Sequence, residues 1–141
     1  MQKAKSIFGG ALLLGSALIL TPAKAAGELS QAQQAMIASQ IKELKAPEER
    51  AVAAGWSDAK KVAEFICRPL ALSELQKWNK QADRVFLGTD DPRTLDLTDN
   101  HLLSGSGDVR TGNDWTSFKF TCELDPQTGK ARSFESDLSS R

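Results

Sequence analysis

Few residues in this chain are of a type that can do chemistry, and their spacing decides which kind. Cys67 and Cys122 are the only cysteines, far apart in sequence and each beside aromatic or aliphatic neighbours. A redox pair would sit in a close C-x-x-C arrangement with a depressed thiol pKa. A zinc site would need more ligands than one histidine and two cysteines can supply. The spacing therefore predicts a structural disulfide, the usual state of a cysteine pair in an oxidising compartment. The acidic residues Asp90, Asp91, Asp96 and Asp99 with Asn100 offer oxygen ligands for calcium, but they lack the D-x-D-x-D-G order of an EF-hand loop. Solvated turn carboxylates are the expectation there. Ser104-Gly105-Ser106-Gly107 has the wrong spacing for a nucleophile elbow, and His101 is a lone histidine in a polar turn. Thr128-Gly129-Lys130 lacks the upstream glycine and following hydroxyl of a phosphate loop.

No catalytic residue, metal or cofactor is expected, and what is left is binding chemistry. Arg68, Arg84 and Arg110 are candidates to converge on an anion, with scattered surface arginines as the alternative. Trp56, Trp78 and Trp115 supply aromatic surface. Trp115, Arg110, Asp90 and Asp91 are the candidate ligand- or partner-binding residues.

These side chains depend on the elements that carry them. Phe118, Phe120, Cys122 and Leu124 alternate with Lys119, Thr121 and Glu123, the period-2 pattern of a half-buried strand. Asp125-Pro126-Gln127-Thr128-Gly129 then supplies turn chemistry, and residues 130–138 return with Phe134 and Leu138 on one face. The result is a hairpin whose apolar face carries Cys122. Cys67 falls in a helical stretch, so a bond between the two would staple a helix onto the sheet.

Upstream, residues 28–45 read as an amphipathic helix, with Leu29, Met36, Ile37, Ile41 and Leu44 inside an arc of about 140°. Gln33 and Gln40 interrupt that stripe. The helix is expected to lie on the domain, and a partner-binding helix is the sharper alternative. Pro47 opens a short helix that Gly55 closes, and Ser57 caps the next. That helix presents Val62, Phe65 and Ile66, with Cys67 on its flank. Pro69 is expected to interrupt it before a fresh helix runs to Trp78. Strands follow at residues 84–88 and, more weakly, 94–97. A turn is expected at 104–107, a strand at 108–110, and a β-bulge near Thr116 and Ser117, because Trp115 and Phe118 are out of phase. Helices followed by strands mean an α+β fold: N-terminal helices packed on a C-terminal antiparallel β-sheet of hairpins, with a helix-to-sheet disulfide.

The first residues read as an address. Lys3 and Lys5 precede an apolar run over residues 7–20, and Ala23-Lys24-Ala25 offers an A-x-A cleavage site. The expected organisation is a cleaved Sec signal peptide at 1–25, an amphipathic helix and linker at 26–47, and one α+β domain at 48–141. No cysteine lies near the cleavage region, which argues against a lipid anchor. The full chain balances 18 Lys+Arg against 18 Asp+Glu, and loss of three lysines with the signal leaves the remainder mildly acidic. Without a basic cluster, nucleic acid and anionic membrane surfaces are poor partners.

The strings Phe65-Ile66-Cys67-Arg68-Pro69, Asp83-Arg84-Val85-Phe86-Leu87-Gly88, Ser106-Gly107-Asp108-Val109-Arg110 and Trp115 through Pro126 resemble small exported proteobacterial proteins with a single domain of unknown function. The resemblance spans roughly residues 63–138 and leaves 28–45 outside. It implies a signal peptide, one cysteine in the helical half and one in an F-x-C strand, and it carries over no catalytic residue. The reading is a non-enzymatic periplasmic or secreted binding module whose partner is an envelope protein or a small ligand, with no membrane span once the signal is removed. The alternative is an inhibitor or immunity-type factor that blocks an envelope hydrolase. Its feature would be an acidic loop at residues 90–100.

Overall fold

The computed structural model describes residues 28–138 together with Gly10, Gly15 and Ala17. Apart from those three positions, the expected signal segment lies outside the described residues. Four α-helices precede five strands: α1 (Gln31–Glu43), α2 (Pro47–Ala54), α3 (Asp58–Val62), α4 (Arg68–Trp78), β1 (Ala82–Leu87), β2 (Leu95–Thr98), β3 (Leu102–Thr111), β4 (Asp114–Asp125) and β5 (Lys130–Asp137). A π-helical turn, Ala63–Cys67, joins α3 to α4, and a short 3-10 turn, Pro92–Thr94, precedes β2. The sheet is antiparallel throughout, in the order β1–β3–β4–β5. Along one edge of β3, β2 pairs with its first half and β1 with its second. The architecture is α+β, with helices on one face of a curled sheet.

The alternation in β4 sets the layer boundary. Phe118, Phe120, Cys122 and Leu124 are buried, while Ser117, Lys119, Thr121 and Glu123 face outward. Phe118, Phe120 and Phe134 form an aromatic triangle with centroids 5.3–6.3 Å apart. Val62, Ala63, Phe65, Ile66, Ala71 and Leu75 press on this face from the helices. Cys67, fully buried in the π turn, is bonded to Cys122 with the Cα atoms 6.2 Å apart. Burial of the two sulfurs in one interface follows from the strand alternation and the helical stripe together.

Helix α1 shares this core. Leu29 and Ile37 are buried in it, and Met36, Ile41 and Leu44 pack against it. The two glutamines that interrupt the stripe are bonded into the domain. Gln33, fully buried, accepts the Ser30 N–H and donates to the Asn100 carbonyl at 2.8 Å. Ser30 caps the Gln33 N–H in return and donates to the Pro126 carbonyl at 2.6 Å. Gln40 donates to the Phe65 carbonyl at 2.8 Å.

That last bond bears on Pro69. The helix does not stop at Pro69; it passes through as a π turn, with the Arg68 N–H reaching the Ala63 carbonyl. In a regular turn the ring would crowd the Phe65 carbonyl and give it no N–H. The wider turn relieves the crowding, and Gln40 satisfies the carbonyl.

Two strand expectations change. Residues 104–107 are the middle of β3, not a turn. A Cβ at Gly107 would meet the Phe118 ring and the Phe86 carbonyl at 2.6 Å, and one at Gly105 would meet the Thr94 carbonyl. The glycines are there for close approach. There is also no bulge at Thr116 and Ser117, because the β3–β4 register runs unbroken from Thr111↔Asp114 to Leu102↔Glu123. Trp115 is out of phase with Phe118 because it points to the other face.

Candidate functional site

The outer face of the sheet is open, and its first half carries the aromatic surface. Trp115 on β4 and Phe86 on β1 are 46% and 43% exposed, and their rings stack with centroids 5.4 Å apart and planes 16° from parallel. Two guanidinium groups flank the pair. Arg110, the cross-strand partner of Trp115, lies 5.8 Å from its ring centroid, and Arg84 lies 6.0 Å from that of Phe86. Cation–π contacts at such distances hold the rings in place.

Asp83 completes the arrangement through a local irregularity. The β1–β3 register shifts between Ala82 and Arg84, so Asp83 is the extra residue of a bulge, and both it and Arg84 are exposed. A bulge re-aims a side chain. Here it lets Asp83 accept two N–H bonds from Arg110, both at 2.9 Å. The Arg110 hydrogen bonds hold the Asp83 carboxyl below its usual range, and the same contact raises the Arg110 pKa. Next along the face, the Ser117 hydroxyl donates to Asp108 at 2.6 Å. The patch is thus two stacked rings fixed by a forked ion pair.

Of the sequence-nominated residues, Trp115 and Arg110 are neighbours in this patch. Asp90 and Asp91 are not part of it. They lie in the turn after β1 and line a recess of about 340 Å³ with Trp56 and Lys60. Asp91 accepts the Arg93 N–H and pairs with its guanidinium, which lowers the Asp91 pKa. Residues 90–100 form the 3-10 turn, β2 and the turn into β3. Among the described residues no group of three His, Cys, Asp or Glu side chains is placed to hold a metal ion. Nor does any helix among them have the length and apolarity to cross a membrane.

The three arginines separate. The guanidinium groups of Arg84 and Arg110 both lie beside the outer-face rings, while Arg68 pairs with Glu64 on the helical layer, at a cleft of about 710 Å³ between that layer and β1. Phe86 is the residue that sequence reading missed, taken there as part of a short apolar strand. The signal was present: Val85 and Leu87 are buried on one face, so Phe86 between them must point to the other. Trp56, expected as exposed aromatic surface, is half-buried and stacks on Phe65 at 5.9 Å. No protein-family model matches the chain, and neither a curated protein nor a solved structure matches it.

Proposed function

We propose that this is a non-catalytic, exported binding module that engages an envelope protein through the outer face of its sheet. The observation that carries the reading is the Phe86–Trp115 stack: two large rings left nearly half exposed on an otherwise polar face, held rigid by Arg110 and Asp83. Trp and Arg are over-represented among the residues that dominate protein–protein binding energy. Rings already fixed in the free protein lose little side-chain freedom on association. Export is supported by the signal-type N-terminus and by the Cys67–Cys122 disulfide, which persists in an oxidising compartment.

An inhibitor of an envelope hydrolase would be favoured by a protruding acidic loop. Residues 90–100 instead form a turn and a paired strand, which leaves the aromatic patch as the better-supported contact surface. The test is a pull-down of the tagged protein from envelope extract, beside Trp115→Ala. A partner retained by the wild type and lost by Trp115→Ala, with the protein still folded and its melting temperature lowered by no more than about 5 °C, supports the proposal. No specific partner, or one held equally by both proteins, rejects it.

A further inference from the structure

We infer that the partner meets this protein with a basic segment, laid along an acidic strip that continues the outer face beyond the Phe86–Trp115 stack. The inference deepens the reading of that face as the partner surface and rests on it. Acid in this chain collects on the sheet. Residues 82–138 carry eleven Asp and Glu against six Lys and Arg, whereas residues 28–81 carry seven against eight. Strand register decides how much of that excess lies on one surface.

Directly opposed residues of an antiparallel pair share a face. One row across the sheet runs Asp96, Ser104, Thr121, Glu135, from β2 to β5. The rows on either side add Glu123 and, opposite Lys119, Asp137. All five charged side chains are exposed, so four carboxylates share the strip with one cation. With Lys119 set against Asp137, there remain Asp96, Glu123 and Glu135, none of which has an ion pair among the described residues. At the margins Arg93 is taken by Asp91 and Arg132 by Asp125, while Lys130 lines a recess against α1 and α4. The ring end is different, because Arg84 and Arg110 there are balanced by Asp83 and Asp108. The complementary segment is therefore apolar at the rings and cationic along the strip. Its cations would relieve the repulsion among these carboxylates, and an acidic segment would add to it. Trp115 and Glu123 stand eight positions apart on β4, about 26 Å at the strand rise, so about eight extended residues cover rings and strip together.

The probe is a capped eight-residue peptide with leucine at one end and lysines alternating with serines behind it. It is titrated at low salt into the ¹⁵N-labelled full chain with its disulfide intact. The Trp115 indole N–H and the backbone amides of residues 119–123 should shift together, while the Trp56 indole stays. The same peptide with glutamate at each lysine position should bind at least about tenfold more weakly. The triple variant Asp96→Asn, Glu123→Gln, Glu135→Gln should weaken the lysine peptide about fivefold, as expected for three exposed ion pairs. Raising the salt should erase that difference. The variant's melting temperature should hold or rise, since like charges have been removed from one face. Equal binding of the glutamate peptide, or undiminished binding by the triple variant, with the Trp115 signal still moving, would overturn this inference and leave the ring surface standing. Shifts along the strip without Trp115 would overturn both. No shift at millimolar lysine peptide would overturn the basic segment, while a captured partner lost by Trp115→Ala would still uphold the ring surface.

Discussion

The two faces of β4 are made from alternating residues of one strand, yet they serve opposite ends. On the inner face Phe118, Phe120, Cys122 and Leu124 are buried against helices and tied to them by a disulfide. On the outer face Trp115 is the one large apolar side chain, followed by Ser117, Lys119, Thr121 and Glu123. The inner aromatics meet in a triangle enclosed by other residues, whereas the outer pair is flanked by arginines and left open to solvent. Aromatic residues alone therefore do not mark a binding surface here. What marks it is an aromatic on the face that strand alternation assigns to water.

The sharpest way to break this contrast is to truncate one aromatic on each face. Phe118→Ala should cost about 3–5 kcal/mol in denaturant unfolding, the range for an aromatic removed from a packed core. Trp115→Ala should cost about 1 kcal/mol or less, chiefly the lost stacking on Phe86. Equal losses would mean that the outer pair is a second core.

Next in size is the staple between the inner face and the helices. Replacing both cysteines by alanine should cost about 2–4 kcal/mol, and reduction of the wild type should cost nearly the same. For a loop of this length the chain-entropy model gives about 4 kcal/mol as its upper figure. A loss below about 1 kcal/mol would show that packing alone holds the helices on the sheet.

The smallest effect belongs to the outer face and depends on pH. Arg110 lowers the Asp83 pKa in the folded state, so at acid pH the unfolded chain binds the extra proton. The contribution is present above the ordinary carboxylate pKa and is lost as pH falls through the depressed value. Melting temperature should therefore fall less steeply with acid in Asp83→Asn than in the wild type. Parallel curves would detach this ion pair from stability.

Much of the contrast was legible in sequence, because alternation in residues 118–124 and the turn at 125–129 are local signals. The disulfide followed from that alternation and the composition of the helix. The misreadings have tertiary causes. Ser104-Gly105-Ser106-Gly107 has turn composition, but its glycines answer to Thr94 and Phe118, which lie on other elements. Pro69 looked like a break because the π turn and the donor on α1 have no local signature. Trp115 was taken as an irregularity in one face instead of a member of the other. The pairing of Arg110 with Asp83 needed the β1 bulge, which nothing in residues 82–84 announces.

The bond from Gln40 to the Phe65 carbonyl also sets an order on how this chain can change. While Pro69 is present, no backbone N–H at that position can serve the carbonyl, and a leucine at position 40 would complete the apolar stripe of α1 at the cost of an orphaned acceptor. Once Pro69 has become an ordinary residue, a regular turn can supply that N–H, and position 40 is released. The two substitutions are thus epistatic: proline first and glutamine second is a passable route, and the reverse order crosses a less stable intermediate. A library randomised at both positions should recover leucine at 40 chiefly among sequences that have already lost the proline.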